Sequence, residues 1–215
     1  MNKFSYIKED TDIAAVDYAE AHFSSDPCTW QVNGIDHIFR YYNKPTKRIA
    51  IDVGSNYGFF SVGFAQHFNQ VYSFEINPNV YFHLEKNITL YKNITPYNYG
   101  LSNEEKWVKL KNTSDSGAVC IDNINGTIDS KVKTLDSLNI QDVDFIKIDV
   151  EGHEYEVFKG SQETITKFKP VLMFEWWSNR STDDEEKRQW VFNFLYNLNY
   201  KFVDHRHHDF IFIPQ

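Results

Sequence analysis

Only two cysteines occur in the 215 residues, Cys28 and Cys120, and they share no metal-ligand spacing. That excludes a cysteine zinc site; the two could form one disulfide, but a reduced intracellular pair is the simpler reading. No apolar run approaches the roughly 20 residues that cross a bilayer, so no membrane span is expected. Met1 to Asp10 lacks the apolar centre of a secretory leader. The expectation is a cytoplasmic protein, in which Asn87-Ile88-Thr89 and Asn93-Ile94-Thr95 are chance products of an Asn-rich sequence rather than glycosylation sites. Basic runs are missing too. The nearest is Lys44 to Arg48, in a chain whose formal net charge is −8. Proteins that grip nucleic acid neutralise phosphates with a cationic face, so nucleic acid is a disfavoured partner. There is no internal repeat, low-complexity tract or Pro/Gly-rich linker.

What is present is a globular composition, 41% hydrophobic and 24% charged, with aromatics at 17%. The length suits one α/β domain with a sizeable core. Asp12 to Phe23 reads as a short helix with Ile13 and Val16 on one face, and Asp36 to Tyr42 as another closed by Pro45. From Arg48 the rhythm becomes strand, loop, helix. Strands are predicted at Arg48–Val53, Gln70–Phe74, Thr95–Tyr99, Phe145–Val150 and Val171–Glu175. Helices are predicted at Phe59–Phe68, at Val80–Tyr91 with Asn77 or Asn79 as cap, at Glu154–Phe168 with a break at Gly160, and at Asp183–Leu198. Trp107–Lys111 and Lys131–Thr134 read as minor strands. Tyr200–Asp204 and Phe210–Ile213 read as a terminal hairpin. Such alternation implies a mostly parallel sheet with helices on both faces, and ligands then bind beyond the carboxyl ends of the strands.

That rule selects the residues following each strand. The first ends in Asp52-Val53-Gly54-Ser55-Asn56-Tyr57-Gly58, where Gly54 and Gly58 permit a tight turn and a close ligand approach. It is neither the dinucleotide fingerprint nor a P-loop, and Asp52 would repel pyrophosphate while welcoming an ammonium group. A plain glycine turn fits the loop nearly as well. Glu75 ends the second strand, 17 residues beyond Gly58. An acid so placed can accept hydrogen bonds from ribose hydroxyls, although it could equally cap the helix at Asn77-Pro78. In Lys147-Ile148-Asp149-Val150-Glu151-Gly152-His153-Glu154, period-2 alternation puts Lys147, Asp149 and Glu151 on one side of the fourth strand. Lys147 and Asp149 can form an internal ion pair there. Glu175 ends the fifth strand. The turn His205–Asp209 lies at the same edge, where a solvated hairpin tip outweighs substrate or metal contact. The aromatics Phe59, Phe60, Trp176 and Trp177 are expected in the core.

The blocks D-V-G-S-N-Y-G, S-F-E-I-N-P, L-S-N-E-E, V-K-T-L-D-S-L, F-I-K-I-D-V-E-G-H-E and K-P-V-L-M-F-E resemble the FkbM-type family of S-adenosylmethionine-dependent methyltransferases, over roughly Arg48 to Trp176. The resemblance implies the Rossmann-like class I methyltransferase sheet, seven strands in the order 3-2-1-4-5-7-6 with only the seventh antiparallel. The terminal hairpin supplies the last two. Ser55 and Tyr57 stand where small aliphatic residues are usual, and Ile76 where proline is common. Residues 1–47 become an aromatic, helical lead-in and a candidate substrate cap, and residues 48–215 the methyltransferase domain.

Carried over, the family pattern implies S-adenosylmethionine as cofactor. Gly54, Ser55, Asn56 and Gly58 would hold its methionine part, with Asp52 orienting that end. Glu75 would hold the ribose, with Ile76 against the adenine and Leu101 and Ser102 flanking it. Asp149 and Glu151 would lie near the sulfonium and the acceptor. For a hydroxyl acceptor Asp149 is the first choice of base, and Glu151 or His153 the second. A divalent cation held by Asp149, Glu151 and a histidine is not favoured, so no metal ligand is assigned. The family's substrates imply O-methylation of a sugar, polysaccharide or small natural product. A nicotinamide oxidoreductase would share the sheet but lacks its glycine fingerprint here, and a non-catalytic cofactor-fold protein is the other alternative.

Overall fold

The computed structural model describes residues 35, 37–112, 119–176, 183–206 and 208–215. The helix expected at Asp12–Phe23, together with Cys28, Trp177 and His207, lies outside them. The main sheet is built from β1 (Ile49–Val53), β2 (Gln70–Phe74), β3 (Ile94–Tyr97), β8 (Val143–Ile148), β9 (Val171–Glu175), β10 (Tyr200–Arg206) and β11 (Asp209–Pro214). Its order is β3-β2-β1-β8-β9-β11-β10. The first five strands pair in parallel, and β11 runs antiparallel between β9 and β10. This is the expected class I methyltransferase order.

Alternation along the strands divides the core in two. Ile51, Val53, Ile146, Ile148 and Phe174 pack with Val157 and Phe158 of α3 (Glu154–Lys159), Ile165 of α4 (Gln162–Phe168) and Leu195 of α5 (Asp183–Asn197). Ala50, Val71, Phe145 and Met173 face the other way, against Val62 and Phe64 of α1 (Phe59–Ala65) and Leu84 of α2 (Pro78–Asn87). Helices therefore cover both faces, as a sheet of near-continuous apolar strands requires. α2 begins as its sequence suggests: Pro78 sits in the first turn and the Asn77 side chain accepts from Asn79 N at 3.1 Å. The break at Gly160 is real, and a Cβ there would stand 1.9 Å from the Ser102 carbonyl oxygen.

The end of the lead-in is part of this core. Residues 37–41 are helical, and Ile35 and Ile38 are buried with Phe64 and Phe68. Gly63 of α1 makes the seat, since a Cβ on it would meet Ile35 Cδ1 at 1.8 Å. His37 contacts Asp204 of β10.

The region between β3 and β8 differs from expectation. Instead of two minor strands it forms a second, four-stranded sheet, β4-β7-β5-β6, from β4 (Gly100–Leu101), β5 (Lys106–Asn112), β6 (Val119–Ile121) and β7 (Ile128–Lys133). β4 and β6 are too short for a period-2 signal. Val108, Leu110 and Val132 form the sheet's own small core, with Ile76 and Ile121 packed against it. Ser130 Oγ donates to the Ile76 carbonyl at 2.8 Å, tying the insertion to the tip of β2.

Candidate active site at the carboxyl edge of the sheet

The chain leaves β1 toward β2 and β3 and later returns to β8 on the other side, so the crevice opens between β1 and β8. The β1 loop is pressed into it. Gly54 has φ +77°, and a Cβ on it would stand 1.8 Å from the Asp149 carbonyl oxygen. Gly54 N and Ser55 N both donate to the Phe74 carbonyl at 3.0 Å, and Ser55 Oγ donates to the Asp52 carbonyl at 2.8 Å. Gly58, φ +90°, makes the turn into α1, and a Cβ there would meet Leu84 Cδ1 at 2.6 Å. Only glycine suits both positions. Asn56 also adopts positive φ, and its Oδ1 is a buried acceptor without a hydrogen-bond partner among the described residues. An orphaned acceptor on such a loop suits a ligand donor such as an ammonium group.

Asp52 does not reach the crevice directly. It alternates onto the α1 face, where Oδ2 accepts from Ser61 Oγ at 2.6 Å and Ser61 Oγ in turn accepts from Ser73 Oγ at 2.7 Å. Lys147, its register partner on β8, brings Nζ to 3.6 Å from Asp52 Oδ1 and 3.0 Å from Asp149 Oδ2. The expected Lys147–Asp149 pair is thus half of a buried triad, with the ammonium also over the Phe60 ring at 4.8 Å. Burial pushes the Asp52 carboxyl up. Burial alone would lower Lys147, but Asp149 and Asp52 outweigh it and hold the ammonium charged.

Glu75 is buried at the tip of β2. Its two oxygens accept from Asn56 N at 2.9 Å and Asn77 N at 2.7 Å, and burial raises its carboxyl to about 7 despite those bonds. It therefore caps the helix region and braces the glycine loop together, while each oxygen keeps a second lone pair for a ligand. Beside it an apolar slot opens to solvent. Ile76, Leu101 and His153 line it together with Leu110, Val119 and Ile121 of the insertion. His153 Nε2 lies 2.9 Å from Ser102 Oγ. Burial, then Lys106 and Lys187, lowers this imidazole to about 4.

The chain beyond β8 turns sharply, with Glu151 at φ +56° and Gly152 at φ +99°. Glu154, the first residue of α3, braces this turn: its Oε1 accepts from Val150 N and Gly152 N, both at 3.1 Å. Burial lifts its carboxyl to about 7. The turn carries Glu151 round so that carboxylate oxygens of Asp149, Glu151 and Glu175 lie within 4.8 Å of one another. This is the one group of three or more potential metal-ligating side chains so close together among the described residues. His153 is not in it.

The structure thus gathers the candidate residues into two ends joined by the Gly54 loop. Ile76, Leu101 and His153 line the slot, with Glu75 next to Ile76 in the chain and Ser102 bonded to His153, and Asp149 and Glu151 stand at the carboxylate cluster. Sequence reasoning missed Glu175 as a member of that cluster, though its place at a strand tip was visible. It also missed the insertion as a wall of the slot: the strand through Val108 and Leu110 was legible, but Val119–Ile121 is too short to carry a signal. The hairpin turn lies beside Glu175, as Trp176 N donates to the His208 carbonyl at 2.8 Å and Asp209 pairs in register with Glu175. Exposed His205 stacks on Phe210 at 4.4 Å. Phe60 is only partly buried and Trp176 is core.

A sequence profile of the methyltransferase FkbM domain matches residues 52–202. No curated protein matches as a sequence relative. Among solved structures, methyltransferase FkbM from Methylobacillus flagellatus KT superposes with a TM-score of 0.59 at 18% identity, covering 78% of this chain and 43% of that one. The chain thus spans less than half of that relative. An rRNA methylase from Streptococcus thermophilus gives a TM-score of 0.51 at 10% identity, covering 85% of this chain and 95% of that one. Precorrin 8w decarboxylase from Methanobacterium thermoautotrophicum also gives 0.51, at 14% identity, with 85% and 90% covered. At these identities the likeness is one of fold. Among the described residues no helix is long and apolar enough to cross a membrane.

Proposed function

The chain belongs to the methyltransferase FkbM domain family, and from that membership we propose that it is an O-methyltransferase acting on a hydroxyl of a sugar, polysaccharide or small natural product. The observation that carries this reading is the division of the crevice into an apolar slot beside Glu75 and a carboxylate cluster across the Gly54 loop. Bound S-adenosylmethionine supplies a methyl group already activated on a sulfonium. The residues present fit it: an apolar slot for a base, a strand-tip acid for ribose hydroxyls, and the orphaned Asn56 Oδ1 for an ammonium group.

The protein then has to position the acceptor, take its proton and keep water out. Asp149 is the proposed base. Its Oδ2 is held by Lys147 Nζ at 3.0 Å, which fixes the carboxylate and leaves the other oxygen to face an acceptor. Glu151 and Glu175 orient the acceptor hydroxyl and add negative potential where a sulfonium would sit. Asp52 works at one remove, by holding Lys147 and Ser61. His153 is bonded to Ser102 and stands in the slot wall, so the base role goes to the carboxylates.

The test is release of S-adenosylhomocysteine from S-adenosylmethionine across a panel of sugars and hydroxylated natural products. Asp149→Asn should bind S-adenosylhomocysteine normally and lose at least about 100-fold in turnover, the usual worth of a general base. Wild-type turnover in that variant would remove Asp149 from the mechanism. Cofactor binding without release for any hydroxyl substrate would remove the O-methylation.

A further inference from the structure

The block Lys147–Glu154 carries two kinds of polar residue that the fold sends to different places. Asp149 and Glu151 converge with Glu175. His153, two residues further on, joins the apolar slot instead, lined by Ile76, Leu101, Leu110, Val119 and Ile121. An imidazole in an otherwise hydrocarbon wall is the obvious group to fix the orientation of a flat heterocycle, because apolar contact alone tolerates sliding and flipping.

The hydrogen-bond chain bears on what the ring offers. Ser102 Oγ donates its proton to Asn103 Oδ1 at 3.2 Å and lies 2.9 Å from His153 Nε2. A hydroxyl that donates to Asn103 is free to accept from the imidazole, and in that tautomer Nε2 carries the hydrogen. In the neutral ring Nδ1 is then an acceptor. Adenine presents an exocyclic amine, a donor. Hypoxanthine presents a carbonyl oxygen at the same position, and an acceptor facing an acceptor is unfavourable.

We infer that His153, oriented by Ser102, reads the base of the bound nucleoside by accepting from its exocyclic amine, while Leu110, Val119 and Ile121 of the inserted sheet cover the ring. His153 is thus a cofactor-selectivity residue rather than the proton acceptor of the reaction. This rests on the nucleoside cofactor of the proposed function.

Calorimetry on the full chain, with S-adenosylhomocysteine and its 6-oxo analogue S-inosylhomocysteine, tests it without any methyl acceptor. Wild type should prefer the adenine ligand by roughly tenfold, the worth of one hydrogen bond. His153→Ala should weaken S-adenosylhomocysteine binding and bring the two ligands to within about twofold, and Ser102→Ala should erode the preference in the same direction. Melting curves of both variants report whether the fold is intact. Wild type that binds both ligands equally, or His153→Ala that keeps the full preference, overturns the inference while leaving the methyltransferase reading intact. Wild type that binds neither ligand overturns both.

Discussion

Replacing Lys147 by Met keeps most of the aliphatic stem and removes an ammonium from a residue only 2% exposed. The consequence follows from what stays behind. Asp52 is 0% exposed, and without Lys147 its only remaining charge-stabilising contact among the described residues is the Ser61 hydroxyl at 2.6 Å. Breaking a buried ion pair from one side costs about 3–5 kcal/mol, because the surviving charge is uncompensated. Asp149, with its side chain 35% exposed, is partly screened by water and adds less. For a domain of this size the change corresponds to a fall in Tm of roughly 6–20 °C. The pH dependence gives the cause away. Burial already holds the Asp52 carboxyl above its ordinary value, and loss of Lys147 raises it further. A carboxyl raised in the folded state loses stability as pH climbs past its unfolded value of about 4. The Lys147→Met deficit should therefore be small near pH 4 and grow toward pH 8. Asp52→Asn added to Lys147→Met removes the orphaned charge while keeping an acceptor for Ser61, and should recover most of the loss. Thermal melts from pH 4 to 8 on the wild type and both variants provide the measurement. A deficit that is independent of pH, or a double variant no better than the single, would refute the reasoning.

Three further outcomes are expected. Gly54→Ala forces a Cβ onto the Asp149 carbonyl at 1.8 Å in a φ +77° backbone, so melting should fall by about 1–3 kcal/mol or more, with loss of S-adenosylhomocysteine binding by calorimetry. Glu154 is raised to about 7 by burial, so the wild type loses stability as pH rises from about 4.5 to 7. Glu154→Gln keeps the acceptor for Val150 N and Gly152 N, and should gain on the wild type across that window in urea melts, whereas Glu154→Ala should lose at every pH. Turnover should be unchanged by EDTA, since Lys147 already neutralises Asp149 at 3.0 Å; an activity abolished by chelation and restored by magnesium would show instead that Asp149, Glu151 and Glu175 hold a cation.

The sequence by itself determined the sheet and the places where chemistry collects. Period-2 apolar strands between helical runs, glycines at 54 and 58, and acids at 52, 75, 149 and 175 are local signals, and local signals survive without knowing what packs on what. The order of the strands came with the family resemblance. Only the tertiary structure decided which way each acid faces. Asp52 looks toward the glycine loop in the sequence, but alternation turns it under α1 onto Lys147. Glu154 looked like a helix opener and is the brace of the Glu151 turn. The insertion was legible as two strands and folds into four, because strands of two and three residues carry no period and form only through long-range pairing. His153 shows the reason most clearly. Only Gly152 separates it from Glu151 in the chain, yet a positive-φ turn puts the carboxylate in the acidic cluster and the imidazole in the apolar slot. Residue type and spacing announce that a site exists; the backbone torsions between its members assign their partners.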